Sequence, residues 1–403
     1  RQQKNMCFLV LRDSTGTVQA VVKRDEVSNE EWELTQNLYQ ESSVTIEGNV
    51  VEDERAPTGV EIQIDSIEGS AGHPFPIQED QGQKFLADNR HLWLRSQKMT
   101  AIMKVRHTVF KAIRSYFESK GFYEFHAPMF QSTQSEGGSE VFEVPYFDGS
   151  MFLTQSWQLP AETGIFGLEK IYTISPAFRA EKSQTSRHLT EFWMAEAEEA
   201  WCDFEDVVNH SEKVLQHICS EVLNQNKTDL DTLNVNTETV KRYSSTPYIH
   251  MTYTEAVEEL QDDHDMDVVH GEDLGTVEEK TLTASYDVPL VVTNYPKACK
   301  AFYMKEVPED PELVQGCDVL VPGVGEVIGG SQREESEKRI IERLEEEGEN
   351  PEDYDFYLDT RRYGSVPHGG FGIGVERVIQ WICDLDTIRD AIPYPRTMTR
   401  RKP

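Results

Sequence analysis

The first seventy residues alternate short apolar runs with polar turns, a pattern typical of β-strands. Strand-like runs occupy residues 6–11, 17–22, 43–51 and 60–64, and a short polar segment at 29–38 has helical spacing. Short strands with one helix predict a small barrel of the OB type. Such a barrel has five strands, so we expect its first strand upstream of residue 1, in a longer protein that supplies the missing initiator Met.

A different periodicity begins after residues 73–97, whose early glycine and prolines indicate a linker between residues 1–72 and 98–403. From residue 98 to 119, apolar side chains recur at intervals of three and four, which predicts an amphipathic helix. Gly121 is placed to end that helix. Strand-like segments then mix with further helices, which indicates the α+β class. Those helices are expected near residues 204–224, 254–261, 334–347 and 375–384.

Charge narrows the choice of partners. The 403 residues include 39 basic and 72 acidic ones, a formal net charge of −33. A field of this sign repels nucleic acid at long range, so a nucleic-acid partner would need a local basic patch. The acidity indicates either a well-hydrated surface or adaptation to a salty cytoplasm, where screening lengths fall to roughly 3 Å at 1 M salt.

Cysteine usage and hydropathy bear on location. The six cysteines are scattered and include no Cys-x2-Cys pair, so reduced thiols are expected rather than a disulfide framework or a zinc ribbon. No apolar run approaches the roughly 20 residues that a membrane-spanning helix needs. We therefore expect a cytoplasmic protein with no membrane partner.

Two arginines at the edges of apolar segments are the main candidates for chemistry. Arg179 lies in Phe-Arg-Ala-Glu, and Arg377 follows a glycine-rich run at 369–374. The chain has no Gly-x4-Gly-Lys-Ser/Thr motif, so a triphosphate would be held by guanidinium groups and metal rather than by a P-loop. The glycine run is not a dinucleotide fingerprint, because Arg377 stands where the third glycine should be. We expect the glycines to lie close under a flat adenine.

Three blocks together resemble the class II aminoacyl-tRNA synthetases. They are the end of the long helix with residues 121–128, the stretch 178–192, and the glycine run ending at Arg377. The resemblance implies a catalytic domain built on an antiparallel sheet flanked by helices. It also implies an OB domain that binds the anticodon, a homodimer formed through the first block, and the use of ATP and Mg²⁺ with tRNA.

The resemblance also assigns roles around ATP. Arg179 and Arg377 would be the catalytic residues, because a fixed guanidinium stabilises charge that develops on phosphate oxygens. Asp318 and Glu326 would bind Mg²⁺, since hard oxygen ligands suit this ion. Aspartate enzymes carry a metal-binding serine where this chain has Gly329. The full set of expected ATP-binding residues is Arg179, Glu181, Arg187, His188, Phe192, Glu326, Gly374 and Arg377.

Within the family, the resemblance narrows to the aspartate, asparagine and lysine subclass, and to its archaeal asparaginyl enzymes. Aspartyl enzymes place a lysine where this chain has Ala161, and the next residue is Glu162. A substrate carboxylate beside Glu162 would form a buried like-charge pair, whereas an amide can donate to Glu162 and accept from Arg333. The alternative is that Glu162 points to solvent. The expected amino-acid-binding residues are Glu136, Ser156, Gln158, Glu162, Glu196 and Arg333.

In the N-terminal domain, the resemblance assigns anticodon contacts to Phe8, Gln19 and Glu61. An aromatic ring that stacks on a base contributes about 1–3 kcal/mol. Taken without the family, a core phenylalanine and a solvated glutamine would explain the first two residues equally well.

The expected function is therefore ATP-dependent activation of L-asparagine and its transfer to tRNA(Asn). Three alternatives stay open: an aspartyl-tRNA synthetase, whether or not it accepts both tRNAs, an asparagine synthetase that uses the same catalytic fold, and a regulatory paralogue without activity. The asparagine synthetases lack the OB domain, so residues 1–72 argue against that reading.

Overall fold

The computed structural model describes residues 3–78, 81–133, 141–182 and 187–402. The chain divides into two compact units, Arg1–Leu86 and Ala87–Pro403.

The first unit is the predicted small β domain. Its strands pair in the order β1-β2-β4-β3, with a parallel β2–β4 pair and antiparallel neighbours. Its core contains Ala20, Val22, Trp32 and Ile64, which are almost fully buried. The elements are β1 (Met6–Arg12), β2 (Thr17–Lys23), α1 (Asn29–Asn37), β3 (Ser43–Glu52) and β4 (Val60–Ser70).

The segment 73–97, interpreted above as a linker, contains two short helices, α2 (Gln83–Asp88) and α3 (Arg90–Trp93). Arg90 is only 2% exposed, and its guanidinium pairs with Asp390 at 3.0 Å. It also donates to the backbone carbonyls of three residues near the C-terminus, Arg389, Ile392 and Pro393. The second unit therefore begins at Ala87, before the predicted boundary, because Arg90 needs these buried partners.

The second unit is built on a large mixed sheet. Within the described residues its strands follow the order β11-β12-β14-β15-β16-β10-β9-β5, with β13 paired to β14, and β6, β8 and β7 form a small separate sheet. Most neighbours are antiparallel, as expected. The strands are β5 (Tyr123–Glu124), β6 (Phe130–Gln131), β7 (Glu143–Tyr146), β8 (Gly149–Leu153), β9 (Lys170–Phe178), β10 (Glu191–Ala200), β11 (Ile249–Thr252), β12 (Leu290–Pro296), β13 (Glu306–Val307), β14 (Asp310–Val321), β15 (Gly325–Gln332) and β16 (His368–Gly374).

The helices flank this sheet. The predicted ones correspond to α4, α6, α9, α11 and α13, and the apolar face of α13 is buried as expected. The helices are α4 (Gln97–Ser119), α5 (Gln158–Leu168), α6 (Phe204–Gln225), α7 (Lys227–Thr232), α8 (Thr237–Ser245), α9 (Tyr253–Asp262), α10 (Thr276–Ala284), α11 (Glu337–Glu347), α12 (Asp355–Arg362) and α13 (Val375–Ile382).

Five of these ten helices were not predicted, among them α5, which carries part of the candidate site. It contains Pro160, Gly164 and Gly167, which all lower intrinsic helix propensity. Its burial against Ile171 compensates, because most helix stability in proteins comes from packing. Across the ranges described, no helix has the length and apolar character that crossing a membrane requires.

Candidate active site

One row of residues runs across five strands at the centre of the large sheet. Asp318 of β14 pairs with Gly329 of β15, which pairs with Gly372 of β16. Gly372 in turn pairs with Glu196 of β10, whose other partner is Thr173 of β9. The middle of the row has no side chains, so this face offers a flat floor with a carboxylate at either side.

Neighbouring side chains approach the backbone closely at the glycines of this floor. A Cβ atom on Gly329 would lie 3.1 Å from Oε1 of Glu326 and 3.4 Å from Oδ1 of Asp318, so these two oxygens face the same point. A Cβ atom on Gly370 would lie 2.3 Å from Cδ of Glu198. A side chain at position 370 would therefore displace the carboxylate of Glu198, whereas one at position 329 would only press on the oxygens of Glu326 and Asp318.

A cavity of about 930 Å³ opens over this floor and brings together most of the predicted site residues. Alternate residues of β10, from Phe192 through Met194 and Glu196 to Glu198, line one side of it. Glu136 lies outside the described residues. The predicted residues that line the cavity are Ser156, Gln158, Arg179, Glu181, Arg187, His188, Phe192, Glu196, Asp318, Glu326, Arg333, Gly374 and Arg377.

Three guanidinium groups converge at one end of the cavity. Arg179 follows β9 directly, and its guanidinium carbon lies 5.7 Å from the centre of the Phe192 ring. Arg377, in the first turn of α13, donates from Nη1 to the backbone oxygen and to Oε2 of Glu326, at 2.8 and 3.0 Å. Burial lowers the pKa of His188, and the charges of Arg377, Arg187 and Arg179 lower it further. The three guanidinium groups beside His188 suit a polyphosphate.

Arg187 has a buried partner that the sequence did not reveal. Its guanidinium pairs with both carboxylate oxygens of Glu279 on α10. Glu279 also accepts a hydrogen bond from the backbone nitrogen of Glu326 at 3.1 Å. Burial raises the pKa of Glu279, an effect that Arg187 opposes. Because α10 was not predicted, nothing in the sequence separated Glu279 from the other acids.

The two predicted metal ligands also have cationic neighbours. Nζ of Lys300, another residue that sequence reasoning missed, lies 2.9 Å from Oδ2 of Asp318 and 3.1 Å from Oδ1 of Asp273. Burial raises the pKa of Asp318, although Lys300 opposes this. Burial would also raise the pKa of Glu326, but Arg377 and Lys300 hold it below its ordinary value.

The donor set fits Mg²⁺ shared with a substrate. In the part of the chain that the structure describes, no group of three or more His, Cys, Asp or Glu residues could enclose a metal ion. Mg²⁺ commonly uses one or two carboxylates and takes its other ligands from water and phosphate. The convergent oxygens of Asp318 and Glu326 match that mode of binding.

Another part of the cavity lining is a compact polar group at the start of α5. Oγ of Ser156 donates to Oε1 of Glu196 at 2.5 Å, and the backbone nitrogen of Trp157 donates to both oxygens of the same carboxylate at 3.1 Å. The backbone nitrogen of Gln158 donates to Ser156 at 3.1 Å. This arrangement presents oxygen acceptors to the cavity and suits an ammonium group.

Arg333 lies beside this group and is paired with Glu198. Nε of Arg333 donates to Oε2 of Glu198 at 3.2 Å, and Nη2 donates to the other oxygen. Burial raises the pKa of Glu198, while Arg333 opposes the shift. Glu198 was missed by sequence reasoning, although the two-residue alternation of β10 places it on the same face as Glu196.

Glu162 differs from its predicted place. Its side chain is 0% exposed, so the solvent-facing alternative is wrong. Its carboxylate pairs with Arg361 at 2.7 Å and lies 3.0 Å from His368, beneath the cavity wall. Nε of Arg333 is 3.9 Å from Oε1 of Glu162. The acid that lines the cavity next to Arg333 is therefore Glu198.

The predicted anticodon residues share one face of the first unit. Phe8 pairs with Val21, and Gln19 pairs with Val10 across the same two strands, so all four side chains have one orientation. Nε2 of Gln19 donates to Oε2 of Glu61 at 3.0 Å. On this face Val10 is 76% exposed, whereas Val21 and Glu61 are buried.

Comparison with known proteins gives consistent relatives. Residues 82–398 match the family described as tRNA synthetases class II (D, K and N), and residues 1–68 match the OB-fold nucleic acid binding domain. The chain is 43% identical to an asparagine–tRNA ligase from Thermoplasma acidophilum, over 100% of this chain and 94% of that protein.

Comparison with solved structures finds relatives of the same kind. The asparaginyl-tRNA synthetase of Pyrococcus horikoshii complexed with asparaginyl-adenylate superposes with a TM-score of 0.97 at 44% identity, covering 100% of this chain and 94% of that one. An aspartyl-tRNA synthetase from Entamoeba histolytica is more distant, with a TM-score of 0.86 at 26% identity over 100% of this chain and 87% of that one.

Proposed function

The chain belongs to the class II tRNA synthetases of the D, K and N group, and we infer that it activates L-asparagine with ATP and ligates it to tRNA(Asn). It is an aminoacyl-tRNA ligase that releases AMP and diphosphate. The observation that carries the choice of amino acid is the Arg333–Glu198 pair in the cavity wall. A side-chain amide can accept from Arg333 and donate to Glu198, whereas a carboxylate would face Glu198 as a second anion.

The first reaction joins asparagine to ATP. A carboxylate oxygen of asparagine attacks the α-phosphorus, the bond to the bridging oxygen breaks, and diphosphate leaves with the electron pair. Negative charge grows on oxygens that Arg179 and Arg377 can contact, and fixed guanidinium groups stabilise such charge without reorganisation. We assign the remaining contacts with ATP to Glu181, Arg187 and His188.

Adenine and metal complete this assignment. The purine would lie on the glycine floor ending at Gly374, with the Phe192 ring beside Arg179 above it. Asp318 and Glu326 would hold Mg²⁺, which neutralises phosphate charge when it is bound. Glu196 and Ser156, together with Gln158, would hold the α-ammonium group of asparagine.

The second reaction is attack by the terminal 3′-hydroxyl of tRNA on the acyl carbon, with AMP as the leaving group. No side chain is proposed as a nucleophile, so catalysis rests on positioning and on charge stabilisation. The face with Phe8, Gln19 and Glu61 is the proposed anticodon site. Free cysteines, all six of them unpaired, suit the reducing cytoplasm in which translation takes place.

A second copy of the chain is the proposed partner for the region after α4. Exposed aromatic rings gather on the small sheet, where Phe130 and Tyr146 lie 5.6 Å apart and Phe147 is 92% exposed. Exposed apolar clusters of this kind commonly mark an interface. Light scattering should give the mass of a dimer for the wild type and a monomer for Phe147→Asp.

Pyrophosphate exchange tests the proposed function directly. Labelled diphosphate should enter ATP in the presence of asparagine and Mg²⁺, without tRNA, and much more slowly with aspartate. Arg179→Ala should abolish exchange, whereas Lys338→Ala, at a side chain that is 85% exposed, should leave it unchanged. Faster exchange with aspartate would refute the choice of substrate.

The same preparation separates the remaining alternatives. An asparagine synthetase would form free asparagine from aspartate, ATP and ammonia, and a regulatory paralogue would show no exchange with either amino acid. A charged tRNA product with asparagine excludes both.

A further inference from the structure

Lys300 lies in the cavity lining, next to one of the two proposed metal ligands. Its Nζ atom is 2.9 Å from Oδ2 of Asp318 and 3.1 Å from Oδ1 of Asp273, and it lies 3.9 Å from the centre of the Tyr295 ring. Burial alone would lower the pKa of Lys300, but Asp318 and Asp273 raise it above its ordinary value, so the ammonium group stays charged. Two carboxylates and an aromatic face therefore hold this cation in place.

The two proposed metal ligands divide their oxygens in the same way. Oε2 of Glu326 accepts from Arg377. Oδ2 of Asp318 accepts from Lys300. The other oxygens, Oε1 of Glu326 and Oδ1 of Asp318, both face the point where a Cβ atom on Gly329 would lie. Each ligand thus offers one oxygen to a metal ion, while a cationic side chain holds the other oxygen.

The charges of this group leave little attraction for a metal ion alone. Asp318 and Glu326 contribute two negative charges. Lys300 and Arg377 contribute two positive ones, so these four side chains sum to zero. Asp273 adds a negative charge, but its side chain is 54% exposed, and solvent screens it. A divalent ion would gain little here because two cations repel it, whereas ATP brings phosphate oxygens that can pair with those cations.

We propose that Lys300 acts as an internal counter-ion of Asp318 and makes metal binding conditional on ATP. The inference rests on the proposed function, which assigns Mg²⁺ to Asp318 and Glu326. Lys300 is a positioning residue in this role, because it acts on the metal through Asp318. When a phosphate lies in the cavity, the flexible stem of lysine lets the ammonium group leave Oδ2 of Asp318 for a phosphate oxygen.

Two other roles for Lys300 make different predictions. If Lys300 only contacts phosphate, its removal should weaken ATP binding and leave the affinity for a metal ion alone unchanged. If it only fastens the segment 297–300 to β14, its removal should lower stability and again leave that affinity unchanged. If it is a counter-ion, its removal takes away the positive charge beside Asp318, so the affinity for a metal ion alone should rise.

The experiment measures Mn²⁺ binding to the full chain without ATP, from the electron paramagnetic resonance signal of free Mn²⁺. Lys300→Met should bind one Mn²⁺ ion about tenfold or more tightly than wild type, as loss of one unit charge about 6 Å from a divalent ion implies even at the dielectric constant of water. Lys300→Arg keeps the charge and should bind Mn²⁺ as weakly as wild type. Lys297→Met is the matched control, because Lys297 lines the same cavity but pairs with Glu306 at 3.2 Å, and it should leave the affinity unchanged.

Two more variants show where the added affinity comes from. Lys300→Met/Asp318→Asn should lose the tight site, which separates it from weak binding to the acidic surface. Lys300→Gln keeps a donor for Asp318 without the charge, so it should also bind Mn²⁺ more tightly than wild type, and it decides the question if Lys300→Met does not fold. An unchanged Mn²⁺ affinity in the folded variant, or a tight site that survives Asp318→Asn, would overturn the inference.

Failure of the proposed function has a different signature. A wild type without asparagine-dependent pyrophosphate exchange would refute that function, whatever its affinity for Mn²⁺. A wild type that exchanges pyrophosphate, together with variants whose Mn²⁺ affinity is unchanged, would refute only the role of Lys300.

Discussion

Replacement of Arg106 by Met should test which contacts fix the position of helix α13, which carries Arg377. Nη1 of Arg106, on α4, donates to Oε1 of Glu376 at 2.7 Å and to the backbone oxygen of Ala391 at 2.9 Å. Glu376 is 1% exposed, and its other oxygen accepts from the backbone nitrogen of Trp193 at 2.9 Å. Glu376 directly precedes Arg377, so this pair fixes the start of the helix that presents Arg377 to the cavity.

The expected loss of stability follows from the charge of Glu376, which stays buried without its partner. Removal of one partner of a buried ion pair costs about 3–5 kcal/mol, because the remaining charge keeps its desolvation penalty without compensation. Total stabilities are about 5–15 kcal/mol, so Arg106→Met should be visibly destabilised. The double variant Arg106→Met/Glu376→Gln carries no charge and keeps an acceptor for Trp193, so most of the loss should be recovered.

The loss should also depend on pH in a defined direction. Burial already raises the pKa of Glu376, and Arg106 is the main group that opposes this shift. Without Arg106 the folded-state pKa rises further above the unfolded value, so the folded protein binds the extra proton. Stability of the variant therefore falls as pH rises above about 4.3 towards the raised folded-state pKa. The deficit relative to wild type should be larger at pH 8 than at pH 5.5.

Urea denaturation followed by tryptophan fluorescence measures the relevant unit, because only Trp32 of the six tryptophans lies outside Ala87–Pro403. The exchange assay on the folded variant should also show a higher KM for ATP. A deficit that does not change with pH, or a double variant no more stable than Arg106→Met, would refute the assignment of the loss to the charge of Glu376.

Three further predictions concern other parts of the chain. Arg90→Met removes the buried partner of Asp390, which keeps only Lys98 at 3.7 Å, and should lower the free energy of unfolding by about 3 kcal/mol in the same fluorescence assay, with Lys338→Ala unchanged as the control. Phe8→Ala should spare pyrophosphate exchange but reduce kcat/KM of aminoacylation roughly 5- to 150-fold, because one base loses its stacking partner. Equal loss in both assays would contradict the anticodon role. The net charge is −33, and screening by salt removes self-repulsion, so an increase of KCl from 0.1 to 1 M should raise the melting temperature by roughly several degrees. A melting temperature that does not change would contradict this cause.

Periodicity and turn residues predicted the elements that have a strong local signal. The amphipathic helix α4, the strands of the first unit and the buried face of α13 all have a strong local signal. Helix α5 has no such local signal, because Pro160 and its glycines obscure the helical pattern. Its stability comes from tertiary packing. Local sequence also gave the wrong environment for Glu162, since burial depends on elements that are distant in the chain.

The family resemblance predicted which side chains would meet, and the cavity brings thirteen of them together. It did not predict their partners. Glu279, Lys300 and Arg361 are single charged residues without a motif, and a chain with 72 acids offers no way to select one by composition. Only strand register and helix placement show that each lies within 3.5 Å of a site residue or of its partner.

These partners explain how a chain of strongly negative charge can bind an anion. Arg377 and Arg187 are each paired with a carboxylate, so their orientation is fixed before any phosphate arrives. The side chains of Arg377 and Glu326 are 21% and 35% exposed. This exposure leaves room for a phosphate to replace the carboxylate as the partner of Arg377, and for Glu326 to bind a cation instead. The Arg361–Glu162 pair is 0% exposed on both sides and cannot exchange partners in this way. Exposure therefore separates the ion pairs that can change partners when a ligand binds from those that cannot.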